Sequence, residues 1–105
     1  MQRYTIELRG RNQQSQLDFS LNLYRLGQKI RLGLHTHALP EPFLGADPET
    51  GLTYGCIYLE SENHQDEVLN RVCAHFEQQC RGSVSCRVIP NSPPPSSAKL
   101  DPFNR

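Results

Sequence analysis

The sequence predicts a small α+β domain: an antiparallel sheet in the order β-β-β-β-α-β, one helix packed on one face, and a Pro-rich C-terminal tail. Three observations predict it. Apolar and polar residues alternate in several separate runs, which is the period of a half-buried strand. A single run in the C-terminal half instead carries its apolar residues at three- and four-residue steps, the period of a helix. The last segment, PNSPPPSSAKLDPFNR, has the composition of an extended, polar chain.

In the first strand, RYTIELR, Tyr4, Ile6 and Leu8 fall on one side and Arg3, Thr5, Glu7 and Arg9 on the other. Gly10 opens a polar turn. QLDFSLNLYRL then places Leu17, Phe19, Leu21 and Leu23 at intervals of two. Leu17, Leu21 and Tyr24 also fit helical steps, but Asp18, Ser20 and Asn22 are weak helix formers. All four large apolar residues share a face only if the segment is extended. KIRLGLHT repeats the pattern with Ile30, Leu32 and Leu34, and Gly27 between the runs suits a bend. Residues 16–37 therefore read as a β-hairpin.

Residues 38–52 read as a loop, because Pro40, Pro42 and Pro48 each lack a ladder donor. Within it, DPETG is a turn: the Asp47 side chain can bond the backbone ahead, and Gly51 accepts a left-handed exit. TYGCIYLES is the fourth strand, with Ile57 and Leu59 opposite Tyr54, Cys56 and Tyr58. The helix is HQDEVLNRVCAHFEQQC, with Asn63 as N-cap, a stripe of Leu69, Val72, Cys73, Phe76 and Cys80, and Gly82 past its end. SVSCRVIP closes the sheet with Val84, Cys86 and Val88 turned inward. Residues 1–89 form the domain and residues 90–105 the tail, in which Leu100 and Phe103 are the large apolar groups.

At 105 residues the chain is one domain. Its formal net charge is zero, but the charge is uneven. Residues 1–37 hold six basic and two acidic groups, and residues 38–105 hold five basic and nine acidic. Such a split suits either an anionic partner or mutual pairing of the halves. There is no apolar run long enough to span a bilayer, and the N-terminus lacks the apolar core of a secretory signal. A cytoplasmic protein is therefore expected. Cys56, Cys73, Cys80 and Cys86 contain no C-x-x-C pair, so they are expected as small buried hydrophobes rather than a zinc site.

Extended, the second hairpin arm would carry Lys29, Arg31, His35 and His37 on its polar side, and the first strand would add Arg3 and Arg9. These six residues form the expected site for a protein or anionic partner. The histidines would gain charge below pH about 6.5. A second arrangement of the same segment is metal binding, since His35 and His37 would share a strand face with Glu41 four positions on. The string H-T-H-x-x-x-E resembles the first metal motif of cupins. That resemblance implies a small β-barrel with His35, His37 and Glu41 as metal ligands. The chain departs from the pattern in flanking Glu41 with prolines and in lacking the second motif.

No G-x-S-x-G elbow, P-loop or H-E-x-x-H is present. Nor is there an aromatic RNA-binding run or a basic helix, so nucleic acid is not the expected partner. The reading is a small non-catalytic protein-interaction module (a regulator, adaptor or inhibitor) acting through a polar, basic sheet face or a sheet edge, where it could also form a homodimer. It needs no cofactor. A metal-dependent enzyme and a nucleic-acid-binding protein are the alternatives.

Overall fold

The structure is a computed structural model, and it describes residues 1–36 and 42–92. Its elements are β1 (Gln2–Gly10), α1 (Gln16–Leu34), β2 (Pro42–Ala46), β3 (Thr53–Ser61), α2 (Asp66–Gln79) and β4 (Val84–Pro90). The strands form one four-stranded sheet in the order β2-β3-β1-β4, and every neighbouring pair is antiparallel. The α+β class and the antiparallel sheet are as the sequence predicts. The order of elements is not: it is β-α-β-β-α-β, the topology called ferredoxin-like.

The difference lies in residues 16–34, which form a 19-residue helix where a hairpin was expected. Residues two apart on an α-helix sit about 200° apart around its axis. Intervals of two therefore send Leu17 and Leu21 to one side of α1 and Phe19 and Leu23 to the other. Phe19, Leu23, Leu26, Gly27 and Ile30 are buried. Leu17, Leu21, Tyr24 and Leu32 point away and are 69%, 48%, 61% and 64% exposed. Alternation here marks a helix that is apolar on two opposite sides. Ser15 starts it, its hydroxyl accepting the Asp18 N–H at 3.0 Å, and His35 ends it in the left-handed region at φ 53°.

A second difference is β2, a short edge strand inside the expected loop. Its one proline, Pro42, is the first residue, where a missing ladder donor costs least. The DPETG turn joins β2 to β3 as expected. Asp47 Oδ1 accepts the Glu49 N–H at 2.8 Å and the Thr50 N–H at 3.4 Å, and Gly51 takes φ 72°.

Both helices pack on one face of the sheet. Tyr4, Ile6, Leu8, Ile57, Leu59, Val84 and Cys86 meet the inner stripes of α1 and of α2, the latter being Leu69, Cys73 and Phe76. Phe76 is buried as its position in the stripe predicts. The two helices touch where Gly33 approaches Val68 and Val72. The N-cap of α2 is Gln65, not Asn63, and it makes no side-chain cap bond. The Tyr4 hydroxyl supplies that service: it accepts the Gln65 N–H at 2.8 Å and donates to Asp66 Oδ1 at 2.7 Å. Burial, ahead of the neighbouring Asp66, pushes the Tyr4 phenol above its usual range. At the other end, Gly82 takes φ 76° and its N–H returns to the Glu77 carbonyl at 3.3 Å, the expected helix stop.

Candidate functional site: the open sheet face and the outer face of α1

Strand alternation assigns the second face of the sheet. β1 turns Arg3, Thr5, Glu7 and Arg9 to it. The register of β3 adds Tyr54, Cys56, Tyr58 and Glu60, and β4 adds Ser85, Arg87 and Ile89. Phe43 of β2 lies opposite Cys56 and shares the face. None of the described residues forms an element covering it.

Glu7 organises this face. It is only 8% exposed, and both of its carboxylate oxygens are engaged. Arg87 donates to Oε1 at 3.0 Å, the Tyr54 hydroxyl donates to Oε2 at 3.0 Å, and Arg9 Nε lies 3.7 Å from Oε1. Arg9 also donates to Asp47 at 2.9 Å and places its guanidinium 4.8 Å from the Tyr54 ring centre. A shallow pocket of about 190 Å³ is lined by Glu7, Arg9, Ser85 and Arg87. Burial, then Cys56 (once ionised at alkaline pH) and the Glu7 carboxylate, pushes the Tyr54 phenol far up. Burial also raises the Cys56 thiol. Both groups stay protonated at neutral pH.

The cations here are matched by anions. Arg3 pairs with Glu60 at 3.2 Å, Arg9 with Asp47 and Glu7, and Arg87 with Glu7. The face is polar and charge-balanced rather than basic. An incoming phosphate would have to compete with Glu7 for its arginines.

The structure does not bring the six expected contact residues together. Arg3 and Arg9 are on the open sheet face, whereas Lys29 and Arg31 are on α1, across the sheet. His35 is the exposed C-cap of α1. The shared face rested on an extended 16–37 segment, and the helix removes it. His37 and Glu41 lie outside the described residues, as does the tail from residue 93 with Leu100 and Phe103. His35 is a helix cap and not a strand residue, so its imidazole is not presented on a strand face. Among the described residues, no three His, Cys, Asp or Glu side chains stand close enough to hold a metal ion.

Sequence reasoning missed the outer face of α1. Leu17, Leu21 and Tyr24 form a row along it, opposite the buried stripe, and Leu32 continues the line two turns on, past Gln28. By helical position, Arg25 and Lys29 lie on one flank of the row and Arg31 on the other. Arg31 bonds Gln28 at 3.2 Å. Asp18 is the one acidic residue within α1. The signal was present in the spacing of Leu17, Leu21, Tyr24 and Leu32, which is helical throughout.

No family model matches the chain, and no curated protein matches it. Among solved structures, it is similar to one titled "De novo designed protein Foldit4", with a TM-score of 0.51 and 11% identity over 88% of this chain and 99% of that one. The likeness is one of fold. No described helix is long and apolar enough to cross a membrane.

Proposed function

We propose that this chain is a non-catalytic protein-interaction module, a regulator, adaptor or inhibitor, whose main contact surface is the outer face of α1. One observation carries the reading. Four large apolar side chains project from that face, where a surface helix ordinarily carries polar groups. They are not needed to hold α1 in place, since Phe19, Leu23, Leu26 and Ile30 do that from the other side. Exposed apolar side chains gathered on one face and rimmed by charge mark contact sites. The rim states the partner's chemistry: Arg25, Lys29 and Arg31 against Asp18 favour an acidic segment that offers apolar anchors at helical spacing.

The open sheet face is a second contact surface of the same module. Its support is the pocket beside Glu7, where the Arg87 side chain is 67% exposed and able to turn toward a partner.

The test is titration of an isotope-labelled chain with a designed acidic amphipathic helix, its leucines spaced three and four apart and its flanks glutamate. The expected result is saturable amide shifts along α1 that weaken with salt and vanish in Leu21→Glu. No saturable shift on α1, or shifts confined to β1, β3 and β4, overturns α1 as the main surface. Dimerisation of the chain alone through α1 replaces the acidic partner with a second copy.

A further inference from the structure

Cys73 and Cys86 come from different elements, α2 and β4, thirteen positions apart in sequence. Their sulfurs are 2.8 Å apart in the core, where Cys73 is 4% and Cys86 is 9% exposed. Non-bonded heavy atoms in a packed interior settle at roughly 3.5–4.0 Å, so these two thiols are held closer than packing alone brings atoms. A second contact fixes the same geometry. Glu77, one helical turn beyond Cys73, accepts the Cys86 backbone N–H at 2.6 Å. That bond anchors Cys86 lengthwise on β4 against α2 and leaves its side chain facing Cys73. Cys80, the next cysteine along α2, is only partly buried and packs at the margin of the core.

We infer that Cys73 and Cys86 are a disulfide-forming pair that joins α2 to β4 covalently, with a low-molecular-weight disulfide such as oxidised glutathione as the oxidant. The chemistry balances by exchange. One protein thiolate attacks the small disulfide, forming a mixed disulfide and releasing one small thiol. The second protein thiolate then attacks the protein sulfur of that adduct and releases the other small thiol. The two protein thiols lose two protons and two electrons, and the small disulfide becomes two thiols. The contact with Cys73, then burial, holds the Cys86 thiol far above its usual range. The folded chain therefore reacts slowly at neutral pH and faster as pH rises, and linkage is quickest while the chain is folding. The bond adds no change of fold, because the sulfurs already face each other. It closes a short loop in the unfolded chain and raises the melting temperature.

The test is oxidative refolding of the full chain with oxidised and reduced glutathione, followed by denaturation, alkylation and peptide mapping. A protease cutting after Glu77 is required in addition to trypsin, because trypsin leaves Cys73 and Cys80 on one peptide. The expected product links the Cys73 peptide to the Cys86 peptide, with Cys56 and Cys80 alkylated. It melts about 5 °C or more above the reduced chain. Cys80→Ala keeps the link, and Cys73→Val removes both the link and the gain in melting temperature. Full alkylation of all four cysteines, or a link made through Cys80, overturns the assignment. Should Cys73→Val fail to fold, the peptide map of Cys80→Ala decides alone.

Discussion

Leu23 of α1 rests on Gly55 of β3. A Cβ at Gly55 would stand 2.8 Å from Leu23 Cδ2 and 3.1 Å from the Phe43 carbonyl oxygen. The helix reaches the sheet this closely because the strand has no side chain there. Gly55→Ala is therefore expected to destabilise the fold by about 1–3 kcal/mol, the usual cost of overpacking. Urea unfolding measures it. Leu23→Ala costs stability of its own, but in that background the Gly55→Ala penalty should shrink, since the nearest obstructing atoms are gone though the Phe43 carbonyl remains. Strict additivity of the two substitutions would show that the contact is not the cause.

Glu7 predicts an asymmetry between charge partners. It is nearly enclosed and serves Arg87, Tyr54 and Arg9, whereas the Arg87 side chain is 67% exposed. Glu7→Ala leaves Arg9 and Arg87 side by side without their shared anion and removes the hydrogen bond that the Tyr54 hydroxyl donates to Glu7. The expected loss is about 1–3 kcal/mol. Arg87→Ala removes a single solvent-screened arm and should cost less than about 1 kcal/mol. Equal losses in chemical denaturation would contradict the central role given to Glu7.

Tyr54 sets an alkaline limit. Its phenol is pushed up first by burial and then by the negative charges at Cys56 and Glu7. A group whose folded value is raised contributes stability that is complete below its unfolded value. That contribution is lost as pH rises toward the folded value. Stability should therefore begin to fall as pH passes about 10, where unfolded tyrosine ionises. Tyr54→Phe should flatten that decline relative to the wild type in melts run from neutral to strongly alkaline pH. An unchanged slope would place the alkaline limit elsewhere, for example at Tyr4 or Tyr58, which are raised as well.

Much of the architecture was legible because β1, β3, β4 and α2 each bury one face cleanly. Tyr4, Ile6 and Leu8 alternate with Arg3, Glu7 and Arg9, and α2 spaces Leu69, Cys73 and Phe76 at helical steps. Residues 16–34 were misread for a physical reason. Pattern reading assumes that apolar residues point inward, so an alternating run implies one buried face and an extended chain. In α1 four of the nine large apolar residues point outward, and that assumption fails. Ser15 with Asp18 marks its start, and Leu23, Leu26 and Ile30 carry its period, but Leu17 and Leu21 hid the signal. The expected site fell with the strand, because Lys29 and Arg31 could join Arg3 and Arg9 only across an extended hairpin. Nothing in the alternation of β1 showed that its arginines would be matched by Glu7, Asp47 and Glu60. That balance depends on long-range register.

The Glu77 carboxylate that accepts the Cys86 N–H also seals a border. β4 is the outermost strand on its side, and its third residue, Cys86, gives its donor to α2, while Pro90 at its end has no donor to give. A neighbouring chain would lose ladder bonds at both positions. The opposite border, β2, is five residues long and begins with a proline. A sheet bounded by a strand tied to its own helix and by a five-residue strand that starts on a proline offers a neighbour little ladder to copy, which works against stacking into endless ribbons.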